Sequence, residues 1–216
     1  MRFLKIAQQM RRTRLRAFED VVKHLQDMGS VDEFLDIPVV VVPKELWDKF
    51  ELIGYGFMLD DKDFAPNRRQ LERAMQNPAL YWSLPTPEHR QEVNLYKIFQ
   101  KVGEPKLAVV LDSPAADYFL VHEFSHLAAL ENPDAMRHEQ MDFGDEYLDQ
   151  RDEQFAHMQE MVFAKKKGVT FDQWFETTWP NTKKIIDEKR DKRLYELALM
   201  DYRDYQKLWE KTDDNY

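Results

Sequence analysis

At 216 residues the chain has room for one domain, or one domain with a helical extension, and with 43% hydrophobic and 13% aromatic residues it is too apolar to be disordered over most of its length. The absence of cysteine excludes disulfides, thiolate catalysis and cysteine-ligated zinc or iron–sulfur sites, so any metal site must be drawn from six histidines and a large pool of acids. The net charge of −9 is uneven: residues 1–18 carry six bases and no acid, which leaves 25 basic against 40 acidic residues elsewhere, a balance that disfavours broad nucleic-acid binding.

No apolar run approaches the roughly 20 residues of a membrane helix, so no transmembrane segment is expected. A secreted chain of this size more often carries disulfides, which makes a cytoplasmic location the expectation. No repeat or low-complexity linker divides the sequence, and it reads as a single domain, 1–216, with a basic N-terminal helix over 1–30 and a C-terminal helical extension over 170–216.

Residues 3–28 place Phe3, Ile6, Ala7, Met10, Ala17, Val21, Leu25 and Met28 at helical spacing, and Gly29-Ser30 ends the pattern. The expectation is one helix docked on the acidic body. A transit peptide, or contact with a nucleic acid or an acidic membrane, are competing readings of its bases. Ile37–Pro43 is a β-branched run between prolines and predicts a buried strand. Further strands are expected at 51–59, 79–84 and 107–111, with loop or short helix over 60–90.

Beyond residue 112 the pattern becomes helical. Ser113-Pro114 predicts an N-cap with proline at the first position, opening a helix over 114–130. Helices follow at 146–167, closed by Gly168, at 171–178, and over about 30 residues capped by Asn181. In the last, Tyr195, Tyr202 and Trp209 recur every seven positions, beside Leu194, Ala198, Tyr205 and Leu208, a stripe expected to pack in the core. Strands first and helices later make the fold class α+β.

The helix 114–130 contains His122-Glu123-Phe124-Ser125-His126, an H-E-x-x-H sequence. Histidines at i and i+4 share one helix face, so both imidazoles can reach a single zinc ion. Glu123 beside them is placed to hold the zinc-bound water rather than the metal, and to pass its proton to a leaving amine. A catalytic zinc needs a third protein ligand and an open position. Position 132 is Asn, which removes the histidine of the metzincin pattern, and the next helix offers Glu146, Asp149, Asp152, Glu153 and Glu160 instead. Glu146, Glu153 and Glu160 are seven apart and share a face.

With Glu153-Gln154-Phe155-Ala156 one helix later, the segment 107–167 resembles the gluzincin metallopeptidases, and among them the minigluzincins and ImmA/IrrE-like peptidases. The resemblance implies a zincin-like fold: a small mixed sheet, an active-site helix, a glutamate helix and appended C-terminal helices. It also implies zinc held by His122, His126 and Glu153, with Ala156 allowing close helix packing. Glu146 is the competing ligand, by its thermolysin-like spacing from His126, although the residues after it depart from the signature of those enzymes. The implied activity is hydrolysis of a peptide or protein substrate laid along a sheet edge at 51–59 or 79–84, with Tyr81 and Trp82 as candidate cleft aromatics and Tyr147, His138 or His157 as oxyanion helpers. His24 and His89 have no partner pattern. The alternative is a non-catalytic interaction protein with a structural or vestigial zinc site.

Overall fold

The valine run between prolines forms the inner strand of a mixed four-stranded sheet. In the computed structural model, which describes residues 10–29, 32–131, 141–143, 148 and 150–212, the strands are β1 (Arg11–Arg14), β2 (Pro38–Val42), β3 (Gly56–Asp60) and β4 (Lys106–Leu111), in the order β1-β2-β4-β3. β2 runs parallel to β4 with Val40 opposite Val109, and β1 and β3 flank that pair antiparallel. All five residues of β2 are buried, as a continuous β-branched run in a parallel pair requires. With the helices described below, the chain is α+β.

The described residues form two compact units. The first comprises the chain up to Ala17 together with Leu35–Ala116 and contains the sheet. Its helices are α2 (Lys44–Lys49), α3 (Asp61–Phe64), α4 (Arg68–Gln76), α5 (Pro78–Trp82) and α6 (Pro87–Val102), numbered after α1 (Glu19–Met28) of the second unit. Val93, Tyr96, Ile98 and Phe99 of α6 pack with Val40, Val42, Leu107 and Val109 of the strands, around the fully enclosed Trp47. Each such side chain stabilises the unit by roughly 1.5–3 kcal/mol through burial.

Two expectations in this unit are corrected, and one helix is unexpected. Residues 11–14 form a strand, not part of a helix over 3–28: pairing with β2 outweighs the helical periodicity, and α1 begins only at Glu19. Three bases of the arm pair within this unit, Arg12 and Arg14 with Glu104 at 2.9 and 3.1 Å and Arg16 with Asp36, and these charges guard an edge strand. Residues 1–9 lie outside the described residues. The expected strand at 79–84 is instead a helix over Pro78–Trp82, because the Asn77 side chain accepts from Ala79 and Leu80 N–H and Pro78 takes the first helical position. The long helix α6, entered at Pro87 and closed by Gly103 at φ 71°, has no counterpart among the sequence expectations.

The second unit, Phe18–Phe34 and Asp117 onward, is helical: α1, α7 (Ala116–Glu131), α8 (Arg151–Lys166), α9 (Phe171–Thr178), α10 (Pro180–Glu188) and α11 (Lys192–Lys211). α7 starts two residues after the expected proline position, and α8 starts at Arg151 rather than 146. Every residue of α8 from Gln154 to Ala164 is buried, so this helix is the axis of the unit. α9 opens with a capping box between Thr170 and Gln173 and delivers the fully buried Trp174 and Phe175.

The expected 30-residue C-terminal helix is two helices. Lys189 adopts a left-handed conformation (φ 51°) that ends α10, and Asp191 caps α11 by accepting from Leu194 N–H at 3.0 Å. Pro180, not Asn181 as a cap, opens the first of them. The stripe packs inward from Ala198 onward, with Tyr202 and Trp209 against Phe171 and Tyr205 against Trp174, whereas Leu194 at its start is exposed rather than in the core. Lys165 donates to the Trp209 and Thr212 carbonyls, tying the end of α11 to α8. Among the described residues no helix is long and apolar enough to cross a membrane.

Candidate metal centre

The centre is built from facing side chains of α7 and α8, both within the second unit. On α7 the residues Leu120, Val121 and Phe124 are fully buried and fix the helix, with Phe124 packed on Phe34. His122 and His126, one turn apart, present their Nε2 atoms 3.3 Å from each other. Across from them Glu153 lies in the first turn of α8, where the helix dipole favours a carboxylate. The fully buried Gln154 beside it holds the preceding segment in place: its side chain donates to Met141 and Leu148 carbonyls and accepts from Met141 N–H at 2.9 Å. Ala156 is also fully buried.

Glu153 Oε2 is 3.3 Å from His122 Nε2 and 3.6 Å from His126 Nε2. With the 3.3 Å between the two nitrogens, these atoms form a near-equilateral triangle. An ion with tetrahedral bonds of about 2.0–2.1 Å needs its ligand atoms roughly 3.3–3.4 Å apart, so the donor set fits such an ion without rearrangement. His122, His126 and Glu153 therefore can hold a metal ion together.

A second group shares His122. Its Nδ1 faces Glu160 Oε2 at 3.5 Å, an electrostatic contact longer than a hydrogen bond, and the same oxygen is 3.3 Å from His157 Nδ1. His122, His157 and Glu160 are all buried and also can hold a metal ion. Glu160 Oε1 accepts from Trp174 Nε1–H at 2.9 Å, and the Tyr205 hydroxyl is 3.4 Å from His157 Nε2.

Burial alone would lower the His122 pKa, but Glu153 and Glu160 on its two sides carry it up to about 10 in the metal-free protein. Burial would raise Glu160, yet its histidine neighbours hold it below the ordinary glutamate range. His157 is pushed down by burial and by the charge on His122. Glu123, half-buried, is pushed up by burial, with His122 and His126 opposing the rise.

The four residues nominated by sequence, His122, Glu123, His126 and Glu153, thus share one locality. Glu146, Tyr147 and His138 lie outside the described residues. His157 does reach the histidine pair, its ring centroid 4.4 Å from that of His122, but both its nitrogens face Glu160 and Tyr205. Tyr81 and Trp82 belong to the first unit: Tyr81 accepts from Asn94 at 2.9 Å, and Trp82 is exposed. Sequence reasoning missed the role of Glu160 and the contributions of Trp174 and Tyr205. The seven-residue spacing of Glu153 and Glu160 marked a shared face, but nothing local marked the aromatic partners. No protein-family model matches the chain, and neither a curated protein nor a solved structure was found similar to it.

Proposed function

We propose that the chain is a zinc-dependent peptidase of the gluzincin type, with a zincin-like helix pair as its catalytic core. The observation that carries the proposal is the triangle of His122 Nε2, His126 Nε2 and Glu153 Oε2 beside Glu123. The order of sheet, histidine helix and glutamate helix supports it. A zinc ion held there would supply Lewis acidity toward a peptide carbonyl and lower the pKa of water in the site. The His126 and Glu153 side chains are 21% and 16% exposed against 9% for His122, so the His126–Glu153 side is the more open face of the site.

Glu123 is the base. Its carboxylate removes a proton from water as the water oxygen bonds to the carbonyl carbon, and gives that proton to the amine nitrogen as the C–N bond breaks. A pKa raised by burial suits both halves of that exchange. The substrate is then a peptide or protein. The test is Glu123→Gln, which should keep about one zinc per chain and lose roughly 10²–10⁴-fold in cleavage of a mixed peptide library followed by mass spectrometry. A variant that cleaves at the wild-type rate would contradict the proposal.

The burial of the His122–His157–Glu160 group favours a second reading, a non-catalytic protein with a closed structural metal site. That reading requires the metal on the Nδ1 side of His122, and locating the ion separates the two.

A further inference from the structure

We infer that the C-terminal helices α9 and α11 complete the metal centre, with Trp174 and Tyr205 fixing the Glu160–His157 pair so that the Glu160 carboxylate orients the His122 ring. This rests on the zinc reading above and concerns residues outside its ligand set.

The argument runs through donors and acceptors. Trp174 Nε1–H is a donor only, and at 2.9 Å it occupies Glu160 Oε1. His157 Nδ1 is 3.3 Å from Glu160 Oε2, and when it donates there its Nε2 is left as acceptor for the Tyr205 hydroxyl at 3.4 Å. Trp174 and His157 thus donate to the two oxygens of the Glu160 carboxylate, and Tyr205 donates to His157. That carboxylate faces Nδ1 of His122 at 3.5 Å. A histidine that ligates through Nε2 needs an acceptor at Nδ1–H to hold its tautomer and ring plane, and a carboxylate there also raises its basicity as a ligand. His122 Nδ1 is buried and makes no hydrogen bond in the metal-free chain, and Glu160 Oε2 at 3.5 Å is placed to become that acceptor when Nε2 ligates.

Burial makes the arrangement costly to disturb. Trp174 is fully enclosed, and Glu160, His157 and Tyr205 are 4–5% exposed. A carboxylate at that depth is tolerated only with donors around it. The aromatic neighbours exclude water from the group: Trp179 lies 5.1 Å from Tyr205, and Trp174 lies 5.8 Å from it. Glu160 is thus a positioning residue for His122, and Trp174 and Tyr205 position Glu160 and His157 in turn.

The experiment measures zinc dissociation constants by chelator competition for the full chain and for Glu160→Gln, Trp174→Phe and Tyr205→Phe, with His126→Ala as the ligand-loss reference. Circular dichroism and metal-free melting temperatures are recorded for each. Glu160→Gln should weaken zinc about 10–100-fold while still folded, and Trp174→Phe and Tyr205→Phe should weaken it in the same direction by less. A purely structural role would lower the metal-free melting temperature and leave the zinc constant of the folded variants unchanged. Folded Glu160→Gln and Trp174→Phe with wild-type affinity, beside a His126→Ala that loses zinc, would overturn the inference alone. A wild-type chain with no zinc affinity would overturn both it and the zinc reading.

Discussion

Glu153 and His122 stand 3.3 Å apart, Oε2 to Nε2, although they arise from different helices and neither is the other's neighbour in sequence. The contact is made from the first turn of α8, where the helix dipole favours the carboxylate and Gln154 pins the segment before it. It places an anion at the two imidazole nitrogens that the H-E-x-x-H spacing brings together.

If Glu153 is the third ligand, Glu153→Ala should weaken zinc by more than about a hundredfold, beyond the usual cost of losing an outer-sphere partner. Glu146→Ala should bind zinc as the wild type does. Chelator competition on both variants checks this, and the reverse pattern would move the third ligand to Glu146.

Ala156 has no exposed surface. It lies on α8, one turn from Glu153. Ala156→Leu should cost about 1–3 kcal/mol by overpacking and lower zinc affinity by displacing Glu153. Urea denaturation with zinc titration measures both effects.

How much of this was legible in the sequence depends on what sets each element. The H-E-x-x-H face, the buried valine strand and the helix 171–178 are local patterns, and the structure has them at those places. Arg11–Arg14 reads as helix by spacing but becomes a strand because β2 offers it an antiparallel partner, which no local window contains. The helix at Pro78–Trp82 is locally encoded by Asn77-Pro78, a capping signal that the apolar run after it masks. Glu160 shares a face with Glu153 in sequence, but its partner Trp174 arrives from another helix.

The break between α10 and α11 gives a prediction whose sign separates two structures. Lys189 sits at φ 51°, where an L side chain is disfavoured by roughly 1–2 kcal/mol. Lys189→Gly should therefore stabilise the protein by up to about 1 kcal/mol, less whatever is lost from the Lys189 cation 5.6 Å over the Tyr195 ring. In an unbroken helix the same change would cost about 1 kcal/mol. Thermal denaturation reads the sign.

His24 is buried edge-on against Phe163, and burial, followed by the nearby Lys166 charge, lowers its pKa from 6.5 to about 4. The unfolded chain therefore takes up this proton first as the pH falls. The stability contribution is complete above pH 6.5 and is lost as the pH drops toward 4, by about 3 kcal/mol in all. His24→Leu should remove that part of the acid sensitivity. The check is the difference between wild-type and variant urea stabilities across this range, and parallel curves would contradict it.

The most direct measurement is anomalous diffraction at the zinc edge from crystals of the purified chain. The account predicts one peak per chain, bonded to His122 Nε2, His126 Nε2 and Glu153 Oε2 at about 2.0–2.2 Å, with a position left open to solvent. A peak among His122 Nδ1, His157 and Glu160, or no peak in a zinc-supplemented crystal, would contradict it.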